Sequence, residues 1–264
     1  MTLQEKKNKL FLVLSGIFIT NAVLAELIGV KIFSLESTIG IAPVNISLFG
    51  EFVLDFNLTA GALIWPVVFI TTDVINEYFG KPGVKRVTFL TVGLIIYVFL
   101  VILLVTWVQP AQFWLDINGS DAQGNSFDID FAFSKIFRQS AGIIVGSLVA
   151  FLVAQLLDVF VFQRLRKITG KKMIWLRATG STLISQLIDS FVVLFIAFYL
   201  FANPPWSLSQ VFAVGLMNYI YKFVVAIVLT PLIYAAHAII DRYLGLEAAE
   251  RMAEEASSES QKLL

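Results

Sequence analysis

Cysteine is absent from this chain, which excludes disulfides, cysteine-bound zinc and thiol nucleophiles. Histidine occurs once, at His237, so neither a multi-histidine zinc site nor a serine–histidine pair in the interior can be built. The run Gly80-Lys81-Pro82-Gly83 lacks the spacing and closing Ser or Thr of a phosphate loop, so ATP hydrolysis would need another chain. Asp73 and Asp189 lack the glycine-rich flanks of an intramembrane aspartyl protease. The chain is expected not to be an enzyme and to hold neither cofactor nor metal.

Charge is also scarce. Charged residues make up 14% of 264 positions against 58% hydrophobic, and the mean hydropathy is +0.83. That composition belongs to polytopic membrane proteins rather than soluble domains. The formal net charge is zero, so whole-chain charge points to no nucleic-acid partner. Hydropathy predicts six spans, at 10–33, 58–79, 84–108, 140–162, 179–201 and 210–236, each near the roughly 20 residues that cross about 30 Å of hydrocarbon. The continuous apolar run at 98–105 does not alternate as a β-barrel strand would. The expected fold is an all-α polytopic membrane protein with one six-helix transmembrane domain over 1–246 and a polar cytoplasmic tail over 247–264.

Orientation follows from Lys and Arg bias in the short loops. Lys6, Lys7 and Lys9 precede the first span, Lys81, Lys85 and Arg86 follow the second, and Arg164, Arg166, Lys167, Lys171, Lys172 and Arg177 lie between the fourth and fifth. The opposite loops hold Glu36, Glu51, Asp55, Asp116, Asp121, Asp128 and Asp130, with Lys135 and Arg138 against them. Both termini are therefore expected in the cytoplasm. The basic start, apolar run and Val23-Leu24-Ala25 imitate a signal peptide, but the apolar stretch continues to full helix length, so the first span is read as uncleaved.

Lys81-Pro82-Gly83 predicts a tight turn joining spans two and three into a hairpin. The segment 34–57 alternates short apolar runs with Gly40, Pro43, Asn45 and Gly50, compatible with a re-entrant or interfacial piece. The loop 109–135 reads as solvated, and the tail as an exposed polar helix or disorder. One internal echo, Gln155-Leu-Leu-Asp158 against Gln186-Leu-Ile-Asp189, is compatible with two inverted halves of three helices each.

Against this apolar background Glu26, Asp73, Asp158, Asp189 and Lys222 stand inside the expected spans. A charge at the bilayer centre costs about 2.5–3.5 kcal/mol on the lenient insertion scale, so such groups mark a pathway by default. Asp189 and Lys222 fall near the middle of their spans. Ser185 and Gln186 share a face with Asp189, and Asn218 stands one turn from Lys222. The plainer alternative is an ion pair that only fixes helix register. Asp73, Asp158, Gln155 and Glu26 lie away from the midplane and are read as pathway or proton-coupling candidates. Asp158, shortly followed by Arg164 and Arg166, also suits an interfacial anchor. Glu77 and Lys31 are expected at the membrane surface. Trp65 and Tyr219 are packing aromatics or, beside carboxylates, stacking faces for a flat heterocycle.

Four separated motifs together resemble one family. They are Trp65-Pro66 through Asp73 with Asn76-Glu77-Tyr78-Phe79-Gly80, Ala154-Gln155 through Val159 leading to Gln163 and Arg166, Arg177 through Thr182 with Asp189, and Tyr221-Lys222 with Pro231. The chain resembles the queuosine precursor transporters, also called the vitamin uptake transporter family. The resemblance implies a bacterial or archaeal inner-membrane protein importing 7-cyano-7-deazaguanine or 7-aminomethyl-7-deazaguanine as a secondary transporter without an ATPase partner. It implies binding of the guanine-like edge by Asp189, Gln186, Asn218 and Lys222, with Ser185, Trp65 and Tyr219 beside them. Two other readings stay open: the substrate-binding membrane subunit of an energy-coupling-factor vitamin importer, and a membrane scaffold that does not transport. Beyond the 7-deazaguanine and the lipid bilayer no partner is implied, and homo-oligomerisation stays open.

Overall fold

The computed structural model describes residues 1–48, 50, 52–170 and 173–262, so Glu51, Lys171 and Lys172 of the charge pattern above, and the last residues of the tail, lie outside the described residues. Hydrocarbon offers backbone groups no water, so the apolar runs fold as helices that satisfy their own N–H and C=O. Among the described residues five helical stretches are long and apolar enough to cross a membrane: Leu3–Ile28, Trp65–Val105, Ile129–Thr169, Ile174–Leu200 and Leu208–Val228. The chain is a multi-pass membrane protein.

Helix α1, Leu3–Ile28, starts earlier than hydropathy alone predicts because Thr2 caps it. The Thr2 hydroxyl accepts from the Glu5 N–H at 3.2 Å and the Glu5 carboxylate accepts from the Thr2 N–H at 2.7 Å, which satisfies donors at the helix start. The segment after it forms two small antiparallel sheets. Strand β1 (Ile32–Ser34) pairs with β4 (Asn57–Thr59), and between them lie helix α2 (Leu35–Ile39) and the hairpin β2 (Ile46–Leu48) with β3 (Phe52–Leu54). The Glu36 carboxylate ties this cap together by accepting from the Phe56 N–H at 2.7 Å, a bond that holds its carboxyl below the usual range. Leu58 therefore sits in a strand, and the second span begins later than expected. A 3-10 turn, Ala60–Leu63, leads into helix α3 with Pro66 in its first turn.

Helix α3, Trp65–Val105, would measure about 60 Å if straight, twice the hydrocarbon thickness. It is not straight, because Gly80 has φ 63° and ψ −169°. A Cβ placed on Gly83 would lie 3.4 Å from Cγ2 of Ile75, although eight residues of continuous helix span about 12 Å. The chain doubles back, giving arms at 65–79 and 81–105. The expected hairpin is present, with its reversal at Gly80 rather than at Pro82.

Beyond it come α4 (Gln112–Ile117) and α5 (Ile129–Phe137). Between them a turn is closed on Asp121, whose carboxyl stays below its usual range through bonds from the Asn125 side chain and nearby backbone N–H groups. Helix α6, Ala141–Thr169, is capped by Ser140 and runs about two turns past the expected end, so Arg164 and Arg166 are helical. Helix α7, Ile174–Leu194, begins before Thr179 and continues as a π-helical turn, Phe195–Leu200. The expected sixth span is two helices: α8, Leu208–Val228, and α9, Thr230–Leu244, separated at Leu229 with Pro231 opening the second. Pro231 cannot donate the bond a continuous helix would need.

The largest helix pair is α6 with α7. Gly142, Gly146, Ala150 and Ala154 recur at four-residue intervals and are all buried, so their stripe lets two backbones approach closely. A Cβ on Gly142 would come 2.5 Å from Cβ of Phe201, and one on Gly146 would come 3.1 Å from the Val193 carbonyl. The tail from Leu246 to Lys262 is helix α10. Rather than standing free, it buries Ala249, Met252, Ala253 and Ala256, one face at helical spacing, against the α3 hairpin. Ser260 accepts from the Lys81 N–H at 2.8 Å, and a Cβ on Gly80 would sit 2.5 Å from the Ser260 hydroxyl.

Candidate functional site

Where the first arm of α3 meets α6, α7 and α10, five ionisable side chains leave water. Asp73 is 2% exposed, Glu77 5%, Asp158 5%, Arg166 6% and Arg177 1%. Asp73, Asn76 and Glu77 share one face of α3 by their three- and four-residue spacing. Glu77 takes a fork from Arg177, Nε to Oε2 at 3.0 Å and Nη2 to Oε1 at 2.7 Å, and an ion pair from Arg166 at 3.0 Å. The surface position expected for Glu77 is therefore corrected: two guanidiniums from other helices draw its carboxylate inward. Arg166 also donates to the Glu77 carbonyl at 3.0 Å and to the Ala253 carbonyl of α10 at 2.7 Å. Four helices meet at this cluster. Beside it the Tyr78 hydroxyl donates to Asp241 at 2.7 Å and contacts Nδ1 of His237 at 2.9 Å.

About two turns along α6 from Arg166, Asp158 is buried against α7. Its Oδ1 accepts from the Ser185 hydroxyl at 3.2 Å, while the Ser181 hydroxyl donates to the Ala178 carbonyl at 3.1 Å. Asp73 lies in the field of Asp158, Glu77 and Arg177. Gln155 and Thr72 bond across the α3–α6 contact at 3.3 Å. Asp158, Gln155, Thr72, Ser185 and Gln186 line a cavity of about 10 Å³. That volume holds about one water, so a flat bicyclic ligand enters only if the helices separate. Gln163 donates to Oδ1 of Asn76 at 2.7 Å. Among the described residues several buried polar atoms here have no hydrogen-bond partner: Oδ1 of Asp73, Oδ2 of Asp158, Oε1 of Gln186, Nδ2 of Asn76 and Oε1 of Gln163. Each such orphan costs about 1–3 kcal/mol, so their concentration in one region is informative.

Toward the other end of the helices, Lys222 of α8 donates to Asp189 of α7 at 2.5 Å. Glu26 of α1 accepts from Ser147 at 2.9 Å and lies in the field of Asp189. The four residues expected to read a ligand edge are thus divided. Asp189 and Lys222 satisfy each other, Gln186 belongs to the small cavity, and no side-chain hydrogen bond involves Asn218 among the described residues. Trp65 stacks on Phe69 with centroids 6.0 Å apart, and Tyr219 meets Phe223 edge-on at 6.3 Å. Glu77, Arg177, Asn76, Gln163 and Tyr78 were not singled out as site residues by sequence reasoning. The available signal was the coincidence of one Glu and two Arg at the ends of three different apolar helices.

A family model described as putative vitamin uptake transporter matches residues 59–236, about two thirds of the chain. The chain is 30% identical over 189 residues to a Bacillus subtilis protein named probable queuosine precursor transporter, covering 70% of this chain and 75% of that protein. It is 30% identical over 200 residues to a Haemophilus influenzae protein of the same name, covering 75% and 76%. It is 29% identical over 180 residues to the Escherichia coli queuosine precursor transporter, covering 67% and 71%. No solved structure matches.

Proposed function

This chain belongs to the putative vitamin uptake transporter family, and from that membership we propose that it imports 7-deazaguanine precursors of queuosine, 7-cyano- or 7-aminomethyl-7-deazaguanine, across the inner membrane as a secondary transporter. That it is a membrane transporter, not an enzyme, follows from the family itself. The cargo is carried by one observation: curated relatives that cover two thirds or more of the chain share the queuosine precursor name. The buried polar residues supply a route for it through otherwise apolar helices. In this proposal Asp189, Gln186, Asn218 and Lys222 bind the guanine-like edge. The carboxylate accepts from the ring N–H and exocyclic amine, and a side-chain donor serves the ring carbonyl. Ser185, Trp65 and Tyr219 border that site, and Glu26, Gln155, Asp158 and Asp73 continue the route. Uptake of either labelled compound into vesicles that contain only this protein is the test, and its absence would refute the reading.

Six crossings follow if the two arms of α3 each count as one and α8 carries the last. Both termini then lie in the cytoplasm, and Asp121 with its turn lies outside, as the loop charges favour. The natural absence of cysteine makes the check direct. A cysteine at Ser120 is expected to react with an impermeant maleimide added outside intact cells. Reaction only after the cytoplasmic face is opened would reverse the topology.

A further inference from the structure

The buried cluster contains three acids, Asp73, Glu77 and Asp158, and two cations, Arg166 and Arg177, all at least nine-tenths buried. Fully ionised, it carries one excess negative charge. Glu77 is satisfied by both guanidiniums, so the excess falls on Asp73 and Asp158, each of which has an oxygen without a hydrogen-bond partner among the described residues. No cation contacts either aspartate directly among the described hydrogen bonds and ion pairs. The groups around the pair are Glu77 on α3, Arg177 and the Ser181, Thr182 and Ser185 hydroxyls on α7, and Arg166 on α6, with Glu254 of α10, which is exposed and so met by water, in the field of Arg166. On α9, His237 and Asp241 are bonded to Tyr78 instead, and Asp241 is only half-buried, so its charge is met partly by water.

A net charge held out of water is costly unless a counter-charge accompanies it. We infer that Asp73 and Asp158 form a site for a single exchangeable positive charge, occupied by one shared proton when the transporter is empty and by the ammonium of a cationic cargo when it is loaded. The inference rests on the cargo class proposed above and adds its consequence. A cationic 7-aminomethyl-7-deazaguanine displaces the proton, whereas the neutral 7-cyano compound leaves it in place. The charge balance closes in both cases: one positive charge sits at the pair, carried either by H⁺ or by the cargo.

The test is a proton count on the purified full-length protein in lipid nanodiscs at low buffer strength. About one proton is expected to be released per 7-aminomethyl-7-deazaguanine bound and none per 7-cyano-7-deazaguanine. Affinity for the cation should tighten about tenfold per pH unit while the empty pair stays protonated. Asp73→Asn and Asp158→Asn should each abolish the release, since either leaves the cluster neutral without a proton. Zero release from the parent, equal release with both compounds, or unchanged release in both variants would overturn the assignment. If neither compound binds, the cargo reading fails. The shared proton is then decided by infrared spectroscopy of the empty protein. A protonated-carboxyl stretch should vanish in each single variant that retains the parental melting temperature, and its persistence in both would refute the pair.

Discussion

Replacing Asp189 by Asn is expected to lower uptake by roughly thirty-fold or more, and adding Lys222→Met is expected not to restore it. Truncating one partner of a buried hydrogen-bonded charge pair costs about 2–5 kcal/mol, and 1.4 kcal/mol is a factor of ten. The low end applies because both side chains are about a fifth exposed. Two roles for this pair give opposite results in the double variant. If Asp189 and Lys222 serve only each other, removing both charges leaves no orphan, and uptake should return toward the parent. If they bind the cargo, Asn presents a donor where the guanine-like edge also donates, Met presents nothing to its carbonyl, and uptake stays lost. Surface expression and melting temperature must match the parent for the comparison to count. Recovery in the double variant would reassign the pair to helix register.

The largest expected stability effect lies at Glu77. Glu77→Ala leaves Arg166 and Arg177 buried with their shared counter-ion gone and lets water reach only poorly. Removing one member of a buried ionic network costs about 3–5 kcal/mol, which for a chain of this size corresponds to roughly 10 °C of melting temperature. Glu77→Gln retains acceptor and shape but not charge and should fall between. The same carboxylate organises the Arg166 guanidinium that holds the Ala253 carbonyl, so α10 should become sensitive to protease in Glu77→Ala. A melting temperature within a degree or two of the parent would show that the cluster is dispensable for stability.

The spans were legible because uninterrupted hydropathy is a strong signal, and the hairpin was legible from Lys81-Pro82-Gly83. The exact reversal was not, since Pro82 tolerates the first turn of a helix and Gly80 alone adopts the positive φ. The strands between Ile32 and Thr59 are three residues each, too short for a period of two to stand out. Helix α10 was read as polar by its average composition, while the spacing of Ala249, Met252, Ala253 and Ala256 already described a buried face. At the site, residue types were legible and partnerships were not. Asp189 with Lys222 could be proposed from depth on two expected spans. Glu77 could not be placed, because its partners Arg166 and Arg177 lie 89 and 100 residues away, and at that separation a residue near a helix end resembles any snorkelling side chain. Depth ranked by distance from a span's end also undervalued Asp158, whose burial depends on the small-residue stripe that draws α6 against α7.

The proposed function requires this protein by itself to move 7-deazaguanine precursors across a membrane. Its most direct test is uptake of labelled 7-cyano- and 7-aminomethyl-7-deazaguanine into lipid vesicles holding only the purified chain. Saturable uptake of at least one of the two is expected, inhibited by the other and lowered by roughly thirty-fold or more in vesicles carrying Asp189→Asn. Vesicles that take up neither compound, or that do so only after an ATPase is supplied, would contradict it.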